Sequence, residues 1–144
     1  MSLEVNTYIK IQKPAEEVFE AILDPKKMSK YFITTGSARL EEGKSVIWTW
    51  ADFNDAKAQV EVLKIEKDRL ISFRWLASKT KTDVDITLEP NGERETLVRV
   101  REHGWKKDDD GIAAALENTQ GWANFLDCLK AYLEYGINLR QAAF

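Results

Sequence analysis

The chain has 144 residues, 44% of them hydrophobic and 31% charged, with a net charge of −3. That balance suits a single folded domain over residues 1–144 with a core of its own. Charges of both signs are interspersed and no basic stripe occurs, which argues against a nucleic-acid partner and an anionic-membrane anchor.

The first element in chain order is a strand. Leu3, Val5, Thr7, Ile9 and Ile11 alternate with polar residues, the mark of a strand with one buried face. Pro14 sits where a first helical turn tolerates it, and 15–23 reads as a short helix carrying Val18, Phe19 and Ile22. Asp24-Pro25 breaks that helix, and 26–32 reads as a second short helix ending at Tyr31 and Phe32.

The period then changes from helical to alternating. A short strand is expected at 37–40 and a turn at 41–44. Val46, Trp48 and Trp50 alternate with Ile47, Thr49 and Ala51 in a further strand. The next, 58–65, changes phase near Val62-Leu63, which predicts a bulge. Strands follow at 70–76, with Ile71, Phe73 and Trp75 on one face, and at 83–88. Pro90-Asn91-Gly92 is a strong turn signal, and 96–103 is the last strand. Short turns between successive strands predict an antiparallel meander.

The chain ends in a long helix, 110–135. Ile112, Leu116, Thr119, Trp122, Leu126, Leu129 and Leu133 recur at three- and four-residue steps and predict one apolar face. At 1.5 Å per residue this helix would be about 40 Å long. Asp108, Asp109 and Asp110 suit its N-terminus and Gly136 its C-terminal cap. The fold class is therefore α+β: a curved seven-stranded antiparallel sheet wrapped on a long C-terminal helix, with two short helices between strands 1 and 2.

Read together, Lys13 to Phe19, Leu70 to Trp75, Val84 to Pro90, Glu102 to Trp105 and Gly121 to Glu134 resemble the helix-grip fold of the START, birch-pollen-allergen and polyketide-cyclase group. The closer likeness is to the branch named after the C-terminal domain of the Hsp90 ATPase activator. The resemblance covers nearly the whole chain. It implies either a domain that holds a small hydrophobic or amphipathic molecule, a protein that contacts a chaperone, or an enzyme of the cyclase or hydratase type. Where members often carry a Gly-Gly pair before the third strand, this chain has Glu42-Gly43-Lys44.

The residues themselves point to a site between helix and sheet. A helix laid across a curved sheet leaves a wedge, and apolar wedges with a few polar groups are the usual small-molecule sites. Alternation turns Trp48, Trp50, Phe73 and Trp75 inward, and Trp122 and Leu126 meet them from the helix. These aromatics either line a cavity or fill the core. Glu102 shares the inward parity of Val98 and Val100. A carboxylate buried there is costly unless it is paired, so Glu102 is a hydrogen-bond partner for a ligand, a general acid–base, or a rim residue that reaches water. Tyr8, Tyr31 and Tyr132 are the further polar groups such a pocket would draw on.

His103, the only histidine, has outward parity and is poorly placed for catalysis. Neither His103 with Cys128 nor any carboxylate spacing makes a metal site, so no metal and no cofactor are expected. Cys128 reads as a small buried hydrophobe. Gly121 inside the helix suggests close approach of the sheet or of a ligand. With no signal segment and no apolar run near 18 residues, the chain is expected to lack a membrane span and to be cytoplasmic.

Overall fold

The structure, a computed structural model, describes residues 3–77, 79–141 and 143. Its strands are β1 (Val5–Ile11), β2 (Thr35–Gly36), β3 (Ser45–Trp50), β4 (Ala56–Glu66), β5 (Leu70–Ala77), β6 (Thr80–Pro90) and β7 (Thr96–His103). Helices α1 (Ala15–Leu23) and α2 (Pro25–Met28) lie between β1 and β2, and α3 (Asp109–Tyr135) follows β7. The sheet order is β1-β7-β6-β5-β4-β3-β2, antiparallel throughout. The last six strands form a meander, and β1 closes the far edge by pairing with β7, Val5 opposite Glu102 and Ile11 opposite Thr96.

Alternation decides the faces. Along β7, Thr96, Val98, Val100 and Glu102 are buried while the residues between them are half-exposed. The expected bulge falls between Val62 and Lys64, where β4 shifts register against β5. The inner face of the sheet, α1 and α3 together bury one core that includes Ile11, Phe19, Ile71, Phe73, Ile86, Val98 and Leu129.

Three local expectations are corrected. The second helix stops at Met28, and the chain to Phe32 continues in turns, with the Phe32 N–H on the Met28 carbonyl at 2.9 Å. The strand expected at 37–40 lies instead at Thr35–Gly36, because Thr35 and Gly36 meet Thr49 and Trp48 of β3. A two-residue strand has no period of its own, so only its partner places it.

The third correction concerns the long helix. Ile112 and Leu116 are 45% and 68% exposed, and Thr119 is exposed too. The buried line runs through Gly111, Ala115, Trp122, Phe125, Leu126, Cys128 and Leu129. One residue is 100° of helical rotation, so a stripe traced back from Trp122 reaches Ala115 and Gly111 rather than Leu116 and Ile112. Small residues let this half of α3 sit close to the chain before it. A Cβ on Gly111 would lie 1.8 Å from the Lys106 carbonyl oxygen.

The ends of α3 behave as expected. The Asp108 carboxylate accepts the Gly111 N–H at 2.8 Å, and Gly136 ends the helix in the left-handed region at φ 66°. The Gly136 and Ile137 N–H groups return to the Tyr132 and Ala131 carbonyls. This reversal sends residues 137–141 back towards the sheet. Phe144, which the sequence suggested for packing on the body or on a second chain, lies outside the described residues.

Candidate functional site

One end of the wedge between α3 and the sheet opens as a cleft of about 300 Å³. Its walls are Phe32 from the turn after α2, Trp50 from β3, Trp75 from β5 and Trp122 from α3. Phe53 closes it from the β3–β4 loop, and Arg140 from the chain after α3. Asn118 and Asn124 add amides from the helix.

The rings form one connected cluster. Phe32 meets Trp50 edge-on at 5.5 Å between centroids, and Trp75 lies 5.4 Å from Trp122 at a 33° tilt. Behind them, Phe73 is in edge contact with both Trp48 and Trp75, at 5.4 Å each. Such geometries are the favoured ones for aromatic pairs. The back layer is shut off from water: Trp48, Phe73 and Leu126 are 2% exposed or less.

The seven residues singled out from the sequence therefore divide. Trp50, Trp75 and Trp122 line the cleft, while Trp48, Phe73, Leu126 and Glu102 lie beneath it as its foundation. Of the tyrosines, Tyr8 is 61% exposed beside Arg99 on the outer face, and Tyr31 donates to the Ala21 carbonyl and stacks on Tyr132. None of the three lines the cleft.

Glu102 is fully buried, and its inward parity holds to the end of β7. Oε2 accepts from the Trp75 indole at 2.8 Å and the Thr82 hydroxyl at 2.6 Å. Oε1 accepts from the Trp122 indole at 2.8 Å and the Asn118 amide at 3.0 Å. A carboxylate has about four lone-pair sites, and four donors fill them. Two come from the sheet and two from positions 118 and 122 of α3, one helical turn apart. The Glu102 backbone carbonyl takes a third indole, from Trp105, at 3.1 Å. This shell offsets the desolvation of the carboxylate, fixes α3 on the sheet and orients two walls of the cleft.

Of the two approaches expected at Gly121, that of the sheet is not found. Gly121 is exposed on the cleft, and nothing lies within 4 Å of where a Cβ would stand. The absent side chain leaves space in the cleft instead of permitting contact with the sheet. His103 is a third exposed on the outer face, with Nε2 3.4 Å from the Asp85 carboxylate. Cys128 is buried on the inner side of α3, and burial pushes its thiol above the usual value, with Arg140 opposing. Among the described residues, no group of three His, Cys, Asp or Glu side chains is arranged to hold a metal ion, and no helix is long and apolar enough to cross a membrane.

Phe53, Asn118, Asn124 and Arg140 were not singled out from the sequence. Phe53 is delivered by the tight 51–55 loop, in which Asn54 and Asp55 adopt φ of 53° and 55°. Asn and Asp are the non-glycine residues that enter that region most readily. A turn-type pair after a tryptophan-rich strand was the available signal. Arg140 depends on the reversal at Gly136, which no local pattern could aim.

A seven-stranded antiparallel sheet gripping a C-terminal helix, with an aromatic cleft between them, defines the helix-grip class. The family model described as activator of Hsp90 ATPase homolog 1-like protein matches residues 12–134, and the chain belongs to this family. Among solved structures it is similar to protein SSP2350 from Staphylococcus saprophyticus, at 29% identity over 96% of each chain with a TM-score of 0.82. It is similar as well to DynU16, a putative protein in the dynemicin biosynthetic locus, at 28% identity and a TM-score of 0.78; the match covers 93% of this chain and 48% of that one. The Aha1 dimer from Colwellia psychrerythraea shares the fold at 22% identity over 93% and 98% of the chains, with a TM-score of 0.75. No curated protein matches the sequence significantly.

Proposed function

We propose that this protein binds a small hydrophobic or amphipathic molecule in the cleft between Trp75 of the sheet and Trp122 of α3. The observation that carries the reading is the cleft itself: four aromatic walls enclosing about 300 Å³, with polar groups confined to two asparagines and one arginine. That volume is at the lower end of ligand sites, and an apolar lining with few polar groups is their usual make-up. The shell around Glu102 supports it further, since two of the walls are held in place before any ligand arrives.

Catalysis of the cyclase type would need polar groups that converge on a reacting atom with lone pairs or protons to spare. Glu102 has all four acceptor sites engaged inside the protein, so binding is the better reading. Family membership favours a second reading, contact with an Hsp90-type chaperone, for which exposed Ile112 and Leu116 on α3 supply apolar surface.

The first reading is tested by Gly121→Trp. A Cβ there meets nothing within 4 Å, and Gly121 lines the cleft, so an indole at this position should occupy its space. Wild type is expected to bind the neutral fluorophore N-phenyl-1-naphthylamine saturably and the variant not to; equal binding by both would refute the reading. Unchanged ATPase activity of a purified Hsp90 at saturating protein would count against the second.

A further inference from the structure

Resting on the cleft as a binding site, we propose that its ligand is an organic anion: an aromatic body held by the tryptophans and one acidic group held by Arg140. Arg140 comes from the chain beyond α3 and turns its guanidinium over two rings of the cleft, 5.0 Å from the Phe53 centroid and 5.9 Å from that of Phe32. Its side chain is only 16% exposed. A guanidinium carries five N–H donors and no acceptor. Among the described residues that of Arg140 is paired with one carboxylate, that of Asp52, whose Oδ2 is 3.4 Å from Nη2. No hydrogen bond from the Arg140 side chain is formed among the described residues, in contrast to the two-pronged pairs of Arg39 with Glu20 and Arg74 with Asp83.

A largely buried cation with unused donors, set at the mouth of an apolar cleft, is a ready partner for a carboxylate or sulfonate. Charge-assisted hydrogen bonds to arginine are the strong ones and accept two oxygens side by side. The aromatic faces of Phe32 and Phe53 hold the guanidinium in place by cation–π attraction. Asp52 is 54% exposed and its pairing with Arg140 is loose, so it yields to a better-placed acid. Asn124 also lines the cleft and forms no side-chain hydrogen bond among the described residues. Its amide is a second donor for the acidic group. The body of the ligand then lies along Trp50, Trp75 and Trp122.

A matched pair of probes separates the acidic group from the body. 8-Anilinonaphthalene-1-sulfonate is anionic; N-phenyl-1-naphthylamine has nearly the same rings and no charge. Both are titrated by fluorescence against wild type, Arg140→Met, Asp52→Asn and Gly121→Trp. Met keeps the apolar stem of Arg140, and thermal unfolding checks that each variant folds. Wild type should bind the anion about tenfold more tightly than the neutral probe. Arg140→Met should lose that preference while its affinity for the neutral probe stays within about twofold, and Asp52→Asn should strengthen anion binding by a few fold. Equal affinities in wild type, or an Arg140→Met variant that keeps the preference, would overturn the anion and leave the cleft standing. If neither probe binds wild type, or if Gly121→Trp binds both as wild type does, the binding site falls and the anion with it.

Discussion

Replacing Glu102 with glutamine tests the carboxylate that ties α3 to the sheet. The change is isosteric but exchanges one acceptor oxygen for an NH2 group. In one amide orientation the new donor faces Trp75 and Thr82; in the other it faces Trp122 and Asn118. The Thr82 hydroxyl can rotate and the Asn118 amide can flip, so each can become an acceptor. An indole N–H is a donor only. Either orientation therefore leaves one buried indole N–H against another donor, at about 1–3 kcal/mol, and the surviving bonds lose their charge assistance. Relief of the carboxylate's desolvation offsets part of this, and the net loss should be about 2–4 kcal/mol. In urea the midpoint should fall with the slope unchanged, and the melting temperature should drop by roughly 5–15 °C for a chain of this size. Far-UV circular dichroism is the readout of choice, since the mutation alters two tryptophans. The double variant Trp75→Phe with Glu102→Gln lets the amide turn its NH2 toward Thr82, so its loss should be smaller than the sum of the singles by at least about 1 kcal/mol. A Glu102→Gln loss under about 1 kcal/mol, with the singles additive, would show that the carboxylate does not tie α3 to the sheet.

Other expectations are as direct. Trp122→Ala removes a nearly buried wall of the cleft and one donor to Glu102, and should cost about 3–5 kcal/mol by urea unfolding. Gly121→Ala adds a methyl group where nothing is met; it should stabilise by up to about 1 kcal/mol through helix propensity alone, and a loss would show that the position is crowded. Cys128 is buried and its thiol is pushed up, so a thiol reagent at neutral pH should react only at the rate of unfolding; immediate stoichiometric labelling would contradict this. Glu134 is held below its ordinary value of 4.5: burial opposes, but the Gln12 N–H at 2.9 Å and Lys130 outweigh it. A depressed carboxylate stabilises the fold above its unfolded pKa and loses that contribution as pH falls through the folded one. Melting temperature should accordingly fall as pH drops below about 4.5, and less steeply in Glu134→Gln; identical profiles would remove Glu134 from the account.

Where each residue's environment is set by near neighbours, the sequence was informative. Alternation placed β7 from Thr96 to His103 and turned Glu102 inward, and the phase change at Val62 announced the bulge. Gly136 could be read as a cap because a left-handed residue ends helices wherever it stands. In the first half of α3 the buried stripe departs from the apolar one for a definite reason. Ile112 and Leu116 are more apolar than Gly111 and Ala115, yet close packing near Lys106 favours the smaller pair. The cleft was half legible: strands and helix supplied Trp50, Trp75 and Trp122, whose direction follows from period. Phe53 and Arg140 come from a loop and from the chain beyond α3, and they meet only because the sheet and the reversal at Gly136 bring them together. Whether inward aromatics fill a core or face a space is a matter of volumes across several elements. Here Gly121, with no side chain, is what leaves room.

The proposed ligand lies against Trp50, Trp75 and Trp122. The most direct measurement is the set of tryptophan indole N–H signals in a nitrogen-correlated NMR spectrum during titration with 8-anilinonaphthalene-1-sulfonate. The chain has five tryptophans, so the signals can be assigned by single substitution. Saturable shifts are expected for Trp50, Trp75 and Trp122, with Trp105, which lies outside the cleft on the Glu102 carbonyl, unmoved. Binding that leaves those three signals in place would contradict this placement.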